Sequence, residues 1–375
     1  MMERKVAEVF PPGEFIRDEL EERGWTQNDL AEIMGRPIQA ISEIVSGKKA
    51  ITPETAQGLA GAFGTTPELW LNLENAYRLS LTKTDSAQVA RKARLYSLAP
   101  VHDLVERGWI QGSSNVSILE TEIIQFFGLQ TIDDEPSRRF AARKSTAYDS
   151  MTPPQLAWCY RARQLSAAVH AIPFNRQRFA EGLPELRQMS RDESSLRRLP
   201  AFLADVGVRL VVVEHLPKTK IDGVAFWLSE EEKDPVVAVS LRYGRIDHFW
   251  FTLMHELAHI YHGDVSGVDC NLVGKDAERF DKKPESERRA DKWAANLLVP
   301  EDRLQTFVRR CKGRFSKLKI RSFANEIGVH PGIVVGRLQH GDCISYAHSR
   351  DMLVDIRRII VDVASTDGWE RLRAI

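Results

Sequence analysis

The run His255-Glu256-Leu257-Ala258-His259 sets two imidazoles four residues apart, with an acid beside the first. On a helix, side chains at i and i+4 share a face, so both rings can reach one ion. Neutral imidazole suits zinc, with bonds of about 2.0–2.1 Å. Glu256 can then take a proton from a water that such an ion activates. A catalytic zinc ordinarily takes three protein ligands and keeps a fourth position for water, so two histidines leave the set one short. The segment 285–300, ESERRADKWAANLLVP, supplies the missing acid, with Glu287 and Asp291 four residues apart. Glu287 is expected as the third ligand. Asp291, one turn later, is expected to accept the free N–H of a ligating imidazole and fix its tautomer. Glu285 competes for the ligand role, although no acid stands four residues after it. His262 could also face the ion, but as a helix-end histidine it is expected to interact with the last carbonyls. Arg242, Tyr243 and Arg245 precede the motif; they could stabilise an oxyanion, but such residues more often make surface contacts.

These groups need a buried helix held by a sheet. The stretch FWFTLMHELAHIYHG reads as an apolar helix that begins near Ile246 and stops at Gly263. Ionisable groups on such a face are costly unless paired or metal-bound. A second helix runs to Pro300. Upstream, the β-branched run 208–213 and the segments 223–228 and 235–241 read as three strands, with the polar SEEEKD at 229–234 as a solvated turn. A sheet packed against helices follows.

The first eighty-odd residues read differently, as short consecutive helices. Phe15, Ile16 and Leu20 are expected on one face of the first. Thr26 caps a second, with Leu30, Ile33 and Met34 inward. Ile41, Ile44 and Val45 face inward on a third. Thr52-Pro53-Glu54 and Thr66-Pro67-Glu68 each carry the cap, first-turn proline and early acid of a helix start. Residues 84–200 read as mostly helical with weaker signals, divided at Pro153-Pro154 and Pro173.

The chain is 375 residues long, too many for one core, so two or three domains are expected. Lys+Arg and Asp+Glu both number 52, which rules out a polycation that binds nucleic acid or lipid by bulk charge. Residues 1–83 hold 9 basic and 13 acidic side chains, 84–200 hold 16 and 13, and 201–375 hold 27 and 26. Any nucleic-acid contact must therefore be local. No stretch approaches the ~20 apolar residues of a membrane span, and the N-terminus lacks the apolar core of a signal peptide. Cys159, Cys270, Cys311 and Cys343 form no close pair and read as isolated thiols in a reducing cytoplasm.

HELAHIYHGD together with ESERRADKWAANLLVP resembles the ImmA/IrrE family of zinc metallopeptidases, over about 200–340. The resemblance implies His255 and His259 as ligands, Glu256 as base and Glu287 as third ligand. Glu287 stands three before Ala290 as the family's ligand does, which favours it over Glu285. Val299 replaces the more usual methionine before the proline. SFANEIGVHPGIVVGRLQHGD, 322–342, resembles a small helical segment that often follows the peptidase core, and His330 within it could approach the site.

Residues 11–79 resemble the Xre/Cro helix-turn-helix class, of the HigA antitoxin type. The resemblance implies that helix 26–34 crosses the DNA backbone and helix 37–46 enters the major groove. Gln27, Lys48 and Lys49 would then touch phosphates, while Arg36, Gln39 and Ser42 would face base edges. The net acidity of this segment is unlike a typical DNA-binding module, and a dimer on two half-sites would offset weak single contacts. The whole chain then reads as a multidomain α+β protein. It has a helix-turn-helix domain at 1–83, a helical linker region at 84–200, a zincin-like peptidase domain at 201–345 and a helical tail at 346–375. The function expected is a DNA-binding regulator coupled to a zinc endopeptidase that cleaves a regulatory protein, itself or a partner repressor. The alternative is a non-catalytic repressor or antitoxin whose peptidase-like part senses metal or binds a partner.

Overall fold

The structure, a computed structural model, describes residues 9–82, 86–134, 136, 151–229, 231, 233–264, 269–270 and 283–369. The chain forms two compact units, 1–89 and 90–375.

The first unit holds five helices, Pro12–Arg23, Gln27–Ile33, Ile38–Val45, Pro53–Phe63 and Pro67–Leu81, and the next helix, Ser86–Leu98, spans the division. The threonines act as expected. Thr26 forms a capping box with Asp29, whose backbone N–H donates to Thr26 Oγ1 at 3.2 Å. Thr52 accepts from the Thr55 N–H and Thr66 from the Leu69 N–H. Each such cap is worth about 1 kcal/mol. Ile16, Leu20, Leu30, Ile41, Ile44, Val45, Leu59 and Trp70 make the core. Phe15 and Ile33 depart from expectation, at 36% and 50% exposed. Consecutive helical residues point about 100° apart, so Phe15 leaves the face that Ile16 sets. Ile33 lies past the edge of the stripe set by Leu30 and Ala31.

The second unit is built on a five-stranded mixed sheet in the order β4-β2-β3-β1-β5. The strands are β1 Arg209–Val212, β2 Ile221–Trp227, β3 Pro235–Val239, β4 Asp269–Cys270 and β5 Ser365–Thr366. β1 runs parallel to β3 and β5, while β2 is antiparallel to β3 and β4. The alternation of period two sends side chains to opposite faces. Leu210, Val212, Ala225, Val237 and Val239 face the motif helix, Ile246–His262, through Trp250, Leu253, Met254 and Leu257. Val211, Val213, Val224, Phe226, Val236 and Ala238 face a second layer that contains Leu95, Leu119, Ile123, Phe127 and Trp158. Both faces of the sheet are thus covered by helices.

Two expectations change here. Helices from the 84–200 region are no mere linker, because their buried residues cover one face of the sheet. The tail is also not only helical. After the short helix Arg357–Val361 it adds β5 beside β1, and Ile356, Ile360, Val361 and Ala364 enter the main core. The 229–234 turn is described only in part. Cys311 and Cys343 are free thiols, Cys159 is buried, and the side chain of Cys270 lies outside the described residues.

Candidate metal centre and helix-turn-helix surface

The motif helix is buried along almost its whole length and ends at Gly263, whose positive φ of 71° closes the last turn. His255, Glu256 and His259 are all buried. The acid helix, Glu285–Leu298, packs against the motif helix and brings Glu287 to the two rings. His255 Nε2 lies 3.1 Å from Glu287 Oε2 and 3.1 Å from His259 Nε2. His259 Nε2 lies 3.5 Å from Glu287 Oε1. Ligand bonds of about 2.0–2.1 Å in a tetrahedral arrangement put neighbouring donor atoms about 3.3–3.4 Å apart. The three edges bracket that spacing, so the donor set fits one small divalent ion. Two facing imidazole nitrogens at this separation would otherwise repel through their lone pairs or require an extra proton.

The outer nitrogens of both rings are held by carboxylates. His255 Nδ1 lies 3.0 Å from Asp291 Oδ1, and Asp291 Oδ2 accepts from Lys283 Nζ at 2.8 Å. His259 Nδ1 lies 3.3 Å from Asp264 Oδ1, and Arg289 pairs with the other oxygen of Asp264. Such partners fix the tautomer that leaves Nε2 as a ligand. Burial pushes the Glu287 carboxyl upward, but hydrogen bonds and charge from His255 and His259 outweigh it and hold it below the ordinary carboxylate range. Burial likewise works against the charge on Asp291. The hydrogen bond from His255 and the charges of His255 and Lys283 still leave it lowered.

Glu256 lies against β2. A Cβ on Gly223 would meet Glu256 Oε1 well inside van der Waals contact and Thr252 Cγ2 at 2.9 Å. Only glycine admits the carboxylate this close to the strand. The other motif-flanking residues are engaged elsewhere. Arg242 pairs with Asp222 at 3.0 Å, and Arg245 with Asp247 at 2.6 Å. His330 caps the helix Pro331–His340, its Nδ1 accepting from the Gly332 N–H, so it does not serve the centre. Glu285 is exposed, and His262 is partly buried; neither belongs to the converging group of His255, His259 and Glu287.

In the first unit, Gln39, Ser42, Lys48 and Lys49 are exposed, the first two one turn apart on the helix Ile38–Val45. Gln27 opens the helix Gln27–Ile33 and is half-buried. Arg36 is a correction. Its guanidinium donates to Thr55 Oγ1 at 3.1 Å and pairs with Glu54 at 3.3 Å, so it ties the turn to the next helix start instead of facing outward.

Comparison with known proteins agrees with both halves. Residues 16–70 match the helix-turn-helix family model, and residues 207–338 match the IrrE N-terminal-like domain model. An uncharacterized HTH-type transcriptional regulator of Escherichia coli, YddM, is 34% identical over 91 residues, covering 24% of this chain and 96% of that one. Antitoxin HigA-1 of Vibrio cholerae is 38% identical over 80 residues, covering 21% of this chain and 75% of that one. The chain belongs to the helix-turn-helix regulators. Its second unit carries an IrrE N-terminal-like domain. Among solved structures, an addiction module antidote protein of a HigA family from Coxiella burnetii is 36% identical. It covers 22% of this chain and 92% of that chain, with a TM-score of 0.21.

Sequence reading of this helix-turn-helix regulator missed three parts of the IrrE-like centre. Asp264 follows the helix-stopping Gly263 directly, and that turn carries its carboxylate back to His259; an acid just past a glycine cap was the available signal. Gly223 gave none, because glycine within a strand has several uses. Lys283 gave none either, since its partner comes from the following helix. No described helix is long and apolar enough to cross a membrane.

Proposed function

We propose that the chain is a DNA-binding regulator whose second unit is a divalent-metal endopeptidase, acting on a regulatory protein that is either this chain or a partner repressor. The observation that carries the reading is the convergence of His255 Nε2, His259 Nε2 and the Glu287 carboxylate at 3.1–3.5 Å. His255, His259 and Glu287 would hold the ion, with zinc the metal best suited to a His2Glu set. When bound, the ion supplies Lewis acidity toward a peptide carbonyl and a water. Glu256, packed on Gly223, takes the proton of the attacking water and returns it to the leaving amine. Asp291 and Asp264 keep the two rings in the tautomer that the ion requires.

The first unit would supply the address. Gln39 and Ser42 lie on the exposed face of the helix that enters the major groove in this reading, and Lys48 and Lys49 follow it, placed for phosphates. Gln27 opens the preceding helix, placed for a phosphate in this reading. With few cations per copy, two copies on two half-sites give the needed affinity. The relative named as an HTH-type transcriptional regulator favours an operator as the DNA partner.

The test compares wild type with Glu256→Gln. Both should hold one zinc, while fragments of this chain or of co-purifying regulators, read by mass spectrometry, should vanish in the variant. Unchanged fragments in Glu256→Gln would leave a non-catalytic regulator.

A further inference from the structure

Behind the metal centre lies a second cavity of about 360 Å³, between the start of the motif helix, the acid helix and the helix Pro331–His340. That size falls in the range of sites for small organic ligands. The cavity is not the catalytic cleft, because neither His255, His259, Glu287 nor Glu256 lines it. Its walls are apolar at Phe251, Ala295, Leu298, Val299 and Ile333. Its charged lining is uneven, with Arg245, Lys283, Lys292 and Arg337 facing Asp247, Asp291 and Glu301. Three cations are matched within the wall, Arg245 by Asp247 at 2.6 Å, Lys283 by Asp291 at 2.8 Å and Arg337 by Glu301 at 2.8 Å. His248, held neutral by burial, adds no charge at pH 7. Lys292 therefore stands in excess, exposed at the rim. An apolar cavity with one uncompensated cation suits a singly charged anion on an apolar body.

One wall is shared with the metal centre. Asp291 lines the cavity, receives Lys283 and holds His255 Nδ1 at 3.0 Å. An anion held by Lys292, the residue next to Asp291 on the acid helix, adds negative potential at Asp291, which leaves the carboxylate a stronger acceptor for His255 and His255 a better ligand. We propose that this cavity binds a small apolar carboxylic acid as its anion, and that its occupancy strengthens divalent-metal binding through Asp291. The coupling rests on the metal-centre reading above. The site itself does not.

The probes are phenylbutyrate and octanoate, with phenylbutanol and octanol as uncharged counterparts, titrated calorimetrically into the full chain with and without zinc. Both acids should saturate with Kd of about 1 mM or tighter, at least about tenfold tighter than their alcohols. Lys292→Ala should bring the acids to the level of the alcohols, and Ala295→Trp should abolish binding by filling the cavity. Lys292 is exposed, so its variant keeps the test decisive if Ala295→Trp does not fold. Absence of saturation by either acid, equal affinity for acids and alcohols, or indifference to Lys292→Ala overturns the site. Linkage then requires the acids to bind about fivefold or more tighter to the zinc-loaded chain. Equal affinities with and without zinc overturn the coupling. A chain that takes up no zinc but still binds the acids overturns the metal reading and leaves the cavity site standing.

Discussion

Replacing Asp291 tests how the metal centre is supported. Asp291 Oδ1 lies 3.0 Å from His255 Nδ1, and Oδ2 accepts from a Lys283 side chain that is only 8% exposed. Both neighbours are donors when His255 Nε2 is free for the ion. Asp291→Asn keeps the shape but offers one oxygen and one NH2 group, so one donor must face another donor. Losing such a partner behind a metal-binding histidine costs about 10–100-fold in metal affinity, or about 1.4–2.7 kcal/mol. Asp291→Ala goes further and leaves Lys283 buried without its carboxylate, which should cost the metal-free chain about 3–5 kcal/mol of stability. Zinc affinity is read by competition with a chromophoric chelator, and stability by urea denaturation of the metal-free protein. A purely architectural Asp291 would lower stability while leaving zinc affinity at the wild-type value, and that result would refute the reasoning.

Gly223→Ala should hold zinc normally yet cut peptide cleavage by at least about tenfold, because the new methyl displaces Glu256; the cost in stability should be about 1–3 kcal/mol, as for other overpacked sites. Glu214 sets an acid limit. Burial opposes its charge, but His215 and Arg357 lower its carboxyl from 4.5 to about 2. Its folded pKa is the lower one, so its stabilisation is complete above about pH 4.5 and is lost as pH falls toward about 2. It should amount to about 3 kcal/mol at neutral pH. Glu214→Gln should remove that amount in urea titrations at pH 7 and flatten the acid limb; an unchanged limb contradicts the assignment. Lys48→Ala with Lys49→Ala should weaken operator binding and lower the salt slope by about two. Slopes equal to wild type would mean that neither lysine meets phosphate.

Much of the centre was legible because its chemistry is local. Two histidines at helical spacing and an acid pair four apart each declare a face, and packing needs only to bring the faces together. The strands were legible for a similar reason, since β-branched runs bounded by polar turns encode both their extent and their alternation. What escaped reading depends on partners distant in the chain. β5 is two residues long, too short for a periodic signal, and exists only because β1 offers an edge. The helices over the second face carry weak patterns individually and show their role only against Val211, Val224 and Val236. Arg36 looked free in a basic cluster, but Thr55 and Glu54 at the next helix start engage it. Asp264 waited on a turn whose direction only the fold reveals.

The central claim is one divalent ion shared by His255, His259 and Glu287. Elemental analysis of purified wild type, Glu256→Gln and Glu287→Gln tests it most directly. The account predicts one zinc per chain in the first two and almost none in the third. A full equivalent of zinc in folded Glu287→Gln would contradict it.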